Sequence, residues 1–155
     1  MRRKTFAIAV AAALLGFVAG GLGLARAAVP ADETLVVVQQ PPEQQFVDLG
    51  DPGPSPGDIV AFHSTLTDLT GHGVGNLNIQ CGVNFGGKAV CVGIFSIDGR
   101  GQLSVDALPE FPQPVTGIVT GGNGDFRNAR GEADIQPQQD GTTLITFQLI
   151  GVRSR

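Results

Sequence analysis

Charge, metal ligands and long apolar runs are all scarce in this chain, and each shortage removes a class of function. Only one apolar stretch is longer than a strand, Phe6 to Leu24, so a helical transmembrane bundle is excluded. Charged residues make up 15% of the 155 residues, and the 10 basic ones form no cluster in the folded part. With a formal net charge of −4, that balance argues against a nucleic-acid partner. His63 and His72 lie nine residues apart without ligand spacing. The two cysteines have no nearby histidine, which is too few ligands for zinc. No metal and no other cofactor is expected. Ser-His-Asp order, a P-loop and a dinucleotide fingerprint are all missing. Tryptophan and tyrosine are absent altogether. Disorder is excluded from the other side, because 42% of the residues are hydrophobic.

The N-terminus has the layout of an export signal. Met1-Arg2-Arg3-Lys4 is positive, the run Phe6 to Leu24 is rich in Ala, Leu and Gly, and Ala25-Arg26-Ala27 precedes Ala28. A positive start, an apolar middle and an A-x-A site predict a secretory signal peptide over residues 1–27, cut between Ala27 and Ala28. The alternative is a retained membrane anchor, for which the run is long enough but only weakly hydrophobic. Arg2-Arg3 invites a twin-arginine reading, but the following residues fit the general secretory route better. Cleavage removes Arg2, Arg3, Lys4 and Arg26 and none of the 14 acids. The mature chain then carries 6 basic and 14 acidic residues, net −8. An acidic, secreted protein of this kind is repelled by nucleic acid and by anionic membranes, so its partners should be neutral, apolar or cationic.

Export makes oxidation the default for cysteines. Cys81 and Cys91 flank Phe85-Gly86-Gly87-Lys88, and a hairpin centred on Gly86 would set them opposite each other. A structural disulfide that pins strand register is expected.

With 23 glycines and no amphipathic helical pattern, the mature chain reads as all-β with tight turns. Leu35 to Val38 is apolar before Pro41-Pro42 breaks the run, and Asp51 to Gly57 holds three prolines and forms a loop. Val60, Phe62, Ser64 and Leu66 alternate with Ile59, Ala61, His63 and Thr65. Leu77, Ile79, Cys81, Val83 and Phe85 alternate with polar residues, a period of two. Ala89 to Ile97 is apolar on both faces, as for a centrally packed strand. Asp98-Gly99 and Asp140-Gly141 mark hairpins, and further strands fall at 102–107, 115–120, 129–136 and 142–152. About eight short strands predict a sandwich or a barrel, and pattern alone does not choose between them.

Several motifs, in order, resemble one family. Gly57-Asp58-Ile59-Val60-Ala61-Phe62, Leu66, Asp68, Val74-Gly75 and Cys81 look like the start of an allene oxide cyclase barrel. Gly101-Gln102-Leu103-Ser104-Val105 is similar to its next signature. Val119-Thr120-Gly121-Gly122-Asn123-Gly124-Asp125-Phe126-Arg127-Asn128-Ala129-Arg130-Gly131-Glu132 resembles the glycine turn, aromatic and Ala-Arg-Gly shared with dirigent proteins. Asp48-Leu49-Gly50 and Gly53 to Asp58 are similar to bacterial secreted members. The resemblance covers about residues 46–151. It divides the chain into the signal (1–27), an N-terminal extension with the first strand (28–45) and the barrel (46–155).

That resemblance implies an eight-stranded antiparallel β-barrel with an apolar lumen, often oligomeric in the plant relatives. It also implies cyclisation guided by substrate shaping, with a carboxylate near the mouth. Laying Val47-Asp48 and Ser55-Pro56 on the family's Leu-Asp and Ser-Pro pairs puts Glu43 and Gln45 in the places of its Glu and Asn. The chain departs in having Gln for Asn and no tyrosine for the pocket. Catalytic candidates are Glu43, Asp48 and Asp68; ligand-binding candidates are Phe62, Leu66, Phe85, Phe95 and Phe147. Asp58 is expected to stabilise a turn, His63 to face solvent, and Phe126 to cap the interior. Arg130 and Glu132 should share the outer face of one strand. Gly121, Gly122 and Gly124 should permit positive φ in a tight connection.

Three functions fit. The first is an isomerase or cyclase that shapes a small apolar molecule, and a lumenal carboxylate beside an open cavity would favour it. The second is a binding barrel without turnover, favoured by an open cavity lacking an acid. The third is a structural module whose lumen is filled by phenylalanines.

Overall fold

The computed structural model describes residues 33–84, 88–110 and 113–153. Nine strands follow one another: β1 (Glu33–Gln39), β2 (Glu43–Val47), β3 (Ile59–Thr67), β4 (Gly73–Val83), β5 (Ala89–Ile97), β6 (Gly101–Ala107), β7 (Val115–Gly122), β8 (Arg130–Pro137) and β9 (Thr143–Ile150). A 3-10 turn, Gly124–Phe126, lies between β7 and β8. The signal, its Ala27–Ala28 junction, Phe85 and Gly86 lie outside the described residues.

All pairings are antiparallel between sequence neighbours, except that β1 also pairs with β9 and with β3. Those two pairings turn a meander into a closed barrel, which decides between sandwich and barrel. Nine strands make eight staves, because β1 and β2 are two halves of one. β1 meets β3 through Val38↔Thr67 and Gln39↔Leu66, and β2 continues along the same edge from Glu43↔His63 to Val47↔Ile59. Pro41-Pro42 interrupts the stave because proline has no N–H to offer the ladder. Among the described residues, barrel pairing already includes Glu33–Gln39.

Alternation assigns the faces. Val60, Phe62, Ser64 and Leu66 turn inward, while His63 and Thr65 are exposed. In β5 the inner row is Ala89, Cys91, Gly93, Phe95 and Ile97. Its outer row is not covered: Val90 is 46% and Val92 42% exposed, so β5 is apolar on both faces but packed on one. A barrel has no second layer, and this is why the expectation of a doubly buried strand fails. Cys81 and Cys91 stand directly opposite in the ladder and are bonded.

One half of the lumen is solid. Val37, Leu66, Leu103, Val119, Phe147 and Leu149 meet there, all nearly or wholly buried. Phe126, delivered by the 3-10 turn, is fully buried and plugs this end. Burying a side chain of that size contributes about 1.5–3 kcal/mol. The turn works only with glycine at 124, where φ is +60° and a Cβ would sit 2.3 Å from the Arg100 carbonyl oxygen. Gly121 also has positive φ, whereas Gly122 serves by close approach, since a Cβ there would lie 2.2 Å from the Gln102 carbonyl oxygen. Beneath the plug, the Arg100 guanidinium lies 4.6 Å from the Phe126 ring centroid. It donates to both carboxylate oxygens of Glu33, at 2.5 and 2.8 Å, and approaches Asp125 at 3.5 Å. This clasp joins the start of β1, the β5–β6 turn and the plug.

Candidate functional site

The other half of the lumen is open. Its cavity measures about 540 Å³, within the range of small-molecule sites. Side-chain size makes it. Toward this end the inner row of β5 drops from Phe95 to the small residues Gly93, Cys91 and Ala89, and that of β6 falls from Leu103 through Val105 to Ala107. Val60, Phe62, Ile79, Ile135 and Ile145 line the sides, together with the Cys81–Cys91 disulfide. Phe95 and Phe147 meet edge to face, centroids 5.0 Å apart, where cavity and solid core join.

Polar groups on the wall are few: Gln39, Gln44 and Thr143. Among the described lining residues there is no Asp, Glu, Lys, Arg or His. A charged ligand would lose its hydration without a counter-charge, so the site suits neutral molecules. Among the described residues no group of His, Cys, Asp or Glu could hold a metal ion. No described helix is long and apolar enough to cross a membrane.

The three candidate carboxylates are not brought together, and none lines the cavity. Glu43 opens β2, next to the lining residue Gln44, and is exposed. Asp48 lies in the β2–β3 loop and accepts the Gly53 N–H at 3.1 Å. Asp68 sits beyond the solid half, in the β3–β4 turn. It accepts N–H bonds from Thr70 and His72 and the Thr70 hydroxyl, at 2.8, 3.0 and 2.7 Å. The Thr70 hydroxyl foremost holds its carboxyl below the usual range. Of the aromatic and aliphatic candidates, Phe62 and Phe95 line the cavity. Leu66 and Phe147 are fully buried in the solid half.

The remaining polar residues serve the scaffold. Asp58 is fully buried and does stabilise a turn: it accepts the Leu49 N–H at 2.7 Å and the Ser55 N–H at 2.5 Å. Those bonds, that of Leu49 first, push its pKa down. His63 is exposed and shares a 3.0 Å hydrogen bond with Asn78. Arg130 and Glu132 both lie on the exposed face of β8, where Arg130 donates to the Ala129 carbonyl.

Gln39, Gln44, Gly93 and Thr143 were not among the sequence candidates. Two signals in the chain pointed that way: the small residues Gly93, Cys91 and Ala89 on the inner row of β5, and the polar residue that ends the inward row Leu35, Val37, Gln39.

No family model matches the chain, and no curated protein matches it. Solved structures do. A pyocyanin demethylase superposes with a TM-score of 0.67 at 23% identity, covering 76% of this chain and all of that one. The pterocarpan synthase dirigent protein GePTS1 gives 0.59 at 18%, covering 76% and 82%. The Diels-Alderase AbmU from Streptomyces koyangensis gives 0.55 at 14%, covering 78% and 68%. At such identities the likeness is one of fold: the chain has the barrel shared by dirigent proteins and Diels-Alderases.

Proposed function

We propose that the protein is a secreted barrel that binds a small, neutral, apolar molecule in the open half of its lumen. The observation that carries this reading is the 540 Å³ cavity whose described lining has no ionisable side chain. The two half-lumens differ in design: one is packed to exclusion, the other tapers to alanine and glycine and stays open. The disulfide is compatible with an oxidising compartment.

Dirigent and Diels-Alderase neighbours support a second role for the same site, guidance of a cyclisation. With no acid or base among the described lining residues, this chain would act on a bound molecule by holding it in a reactive conformer. Catalysis by Glu43, Asp48 or Asp68 would require them to reach a ligand that the cavity holds elsewhere. Simple binding is the reading favoured by the wall chemistry.

Native mass spectrometry tests it, on protein recovered from its own culture medium without reducing agent. We expect a mass lacking residues 1–27, a two-hydrogen deficit for the disulfide, and one co-purifying apolar compound. Protein that arrives empty and takes up no neutral apolar probe would overturn the binding reading. An intact N-terminus in the membrane fraction would overturn secretion.

A further inference from the structure

We propose that Gln39, with Thr143 and Ser64 beside it, is a neutral polar anchor, and that the ligand is an apolar molecule carrying one carbonyl or hydroxyl oxygen. This rests on the lumen-binding reading and names its ligand class.

Three neighbouring staves bring these residues to one depth of the barrel. Gln39 pairs directly with Thr143 of β9 and with Leu66 of β3. Ser64 is the next inward residue on β3, where the open cavity gives way to packed core. Directly opposed residues in an antiparallel ladder put their side chains side by side, and a diagonal neighbour lies within reach of a long one.

Gln39 is 8% exposed and lines the cavity, and its carboxamide has no hydrogen-bond partner among the described residues. Ser64 is 4% exposed, and its buried hydroxyl oxygen also has none. The adjacent Gln40 shows the contrast: its amide donates to the Thr67 hydroxyl at 3.0 Å. The Gln39 carboxamide is not enclosed, so it is open to a ligand in the cavity, whereas the Ser64 hydroxyl is the enclosed orphan just behind that wall among the described residues. Buried polar groups are almost always satisfied, so this wall calls for a polar partner. The carboxamide supplies both a donor and an acceptor, which suits a carbonyl or a hydroxyl equally. Phe62 and Phe95 on the cavity wall would take the apolar body of the same molecule.

Two probes of one shape test this on the full disulfide-bonded protein: 2-acetylnaphthalene, which has a carbonyl, and 2-ethylnaphthalene, which does not. Their affinities are compared in wild type, Gln39→Leu and, as an independent variant, Thr143→Val. We expect Gln39→Leu to lower the ketone-to-hydrocarbon affinity ratio about tenfold, the effect of one hydrogen bond, and Thr143→Val to lower it several-fold. Without ligand, Gln39→Leu should melt at or above the wild-type temperature, since it replaces a cavity-facing amide that has no partner in the protein by an apolar side chain. A ratio unchanged by both variants, with both probes still bound, overturns the anchor and leaves lumen binding standing. A lower melting temperature for Gln39→Leu also overturns it, because the amide would then have a partner within the protein. Failure of wild type to bind either probe overturns the lumen reading and the anchor together.

Discussion

Gly93 offers the sharpest test of the open lumen, because a side chain there should stabilise the fold while closing the site. It faces inward between Cys91 and Phe95, with φ outside the left-handed region. A Cβ at this position would lie 3.4 Å from Phe95 Cε2, 3.5 Å from Leu77 Cδ1 and 3.7 Å from Ile79 Cγ1. Those are ordinary van der Waals contacts. Gly93→Ala therefore buries a methyl group, contributing roughly 0.8 kcal/mol. It also removes the entropic cost of a strand glycine, roughly 0.5–1 kcal/mol. The variant should be more stable by about 1–2 kcal/mol, a rise in Tm of about 4–8 °C for a domain of this size. Without tryptophan or tyrosine, unfolding is best followed in guanidinium chloride by far-ultraviolet circular dichroism, with the disulfide intact. Gly93→Leu carries its branched end into the cavity and should weaken 2-ethylnaphthalene binding at least about tenfold, as expected when a preformed apolar pocket is filled. Loss of stability in Gly93→Ala, or unchanged probe binding in a folded Gly93→Leu, would refute the cavity as described.

Three further outcomes follow from the scaffold. Replacing both Cys81 and Cys91 by alanine opens a cross-link between residues ten apart in sequence. The denaturant midpoint should drop by the equivalent of about 3 kcal/mol, and no drop would mean that the link does not restrain the unfolded chain. Arg100→Met breaks the half-buried clasp to Glu33 and Asp125. It should cost about 1–2 kcal/mol, between exposed and buried pairs, and a double-mutant cycle with Glu33→Gln should show coupling. Asp58 has its carboxyl held below the ordinary value of 3.8 by the Leu49 and Ser55 N–H groups. Its stabilising effect is present above that value and is lost as the pH falls through the lower folded one. Asp58→Asn should flatten the acid limb of the stability curve, and superimposable limbs for variant and wild type would show that Asp58 plays no part in it.

Much of the barrel was legible because its rules are local. A period of two marked β3, β4 and β6, and Asp98-Gly99 and Asp140-Gly141 marked the β5–β6 and β8–β9 turns. The spacing of Cys81 and Cys91 anticipated their direct opposition in the ladder. Phe126 was read as a cap and is one. The site was less legible. Motif resemblance drew attention to acids, which sit in turns and at a strand start. Val90 and Val92 read as buried, since sequence cannot tell a strand covered on both faces from one whose outer face meets solvent.

The amino-acid order by itself determined which residues alternate, where the chain turns, and that Pro41-Pro42 must interrupt a strand. These depend on φ, on missing N–H groups and on neighbours along the chain. Only the tertiary structure decided that the sheet closes, because β1 must find both β9 and β3 across the whole sequence. Closure then gave each inner row a depth, with Phe126 and Phe147 at one end and Gly93, Ala89 and Ala107 toward the other. Whether a lumen is filled or open depends on the summed volume of side chains from eight staves at one level. No single strand carries that sum, and so the cavity and its Gln39 wall appear only when the barrel is closed.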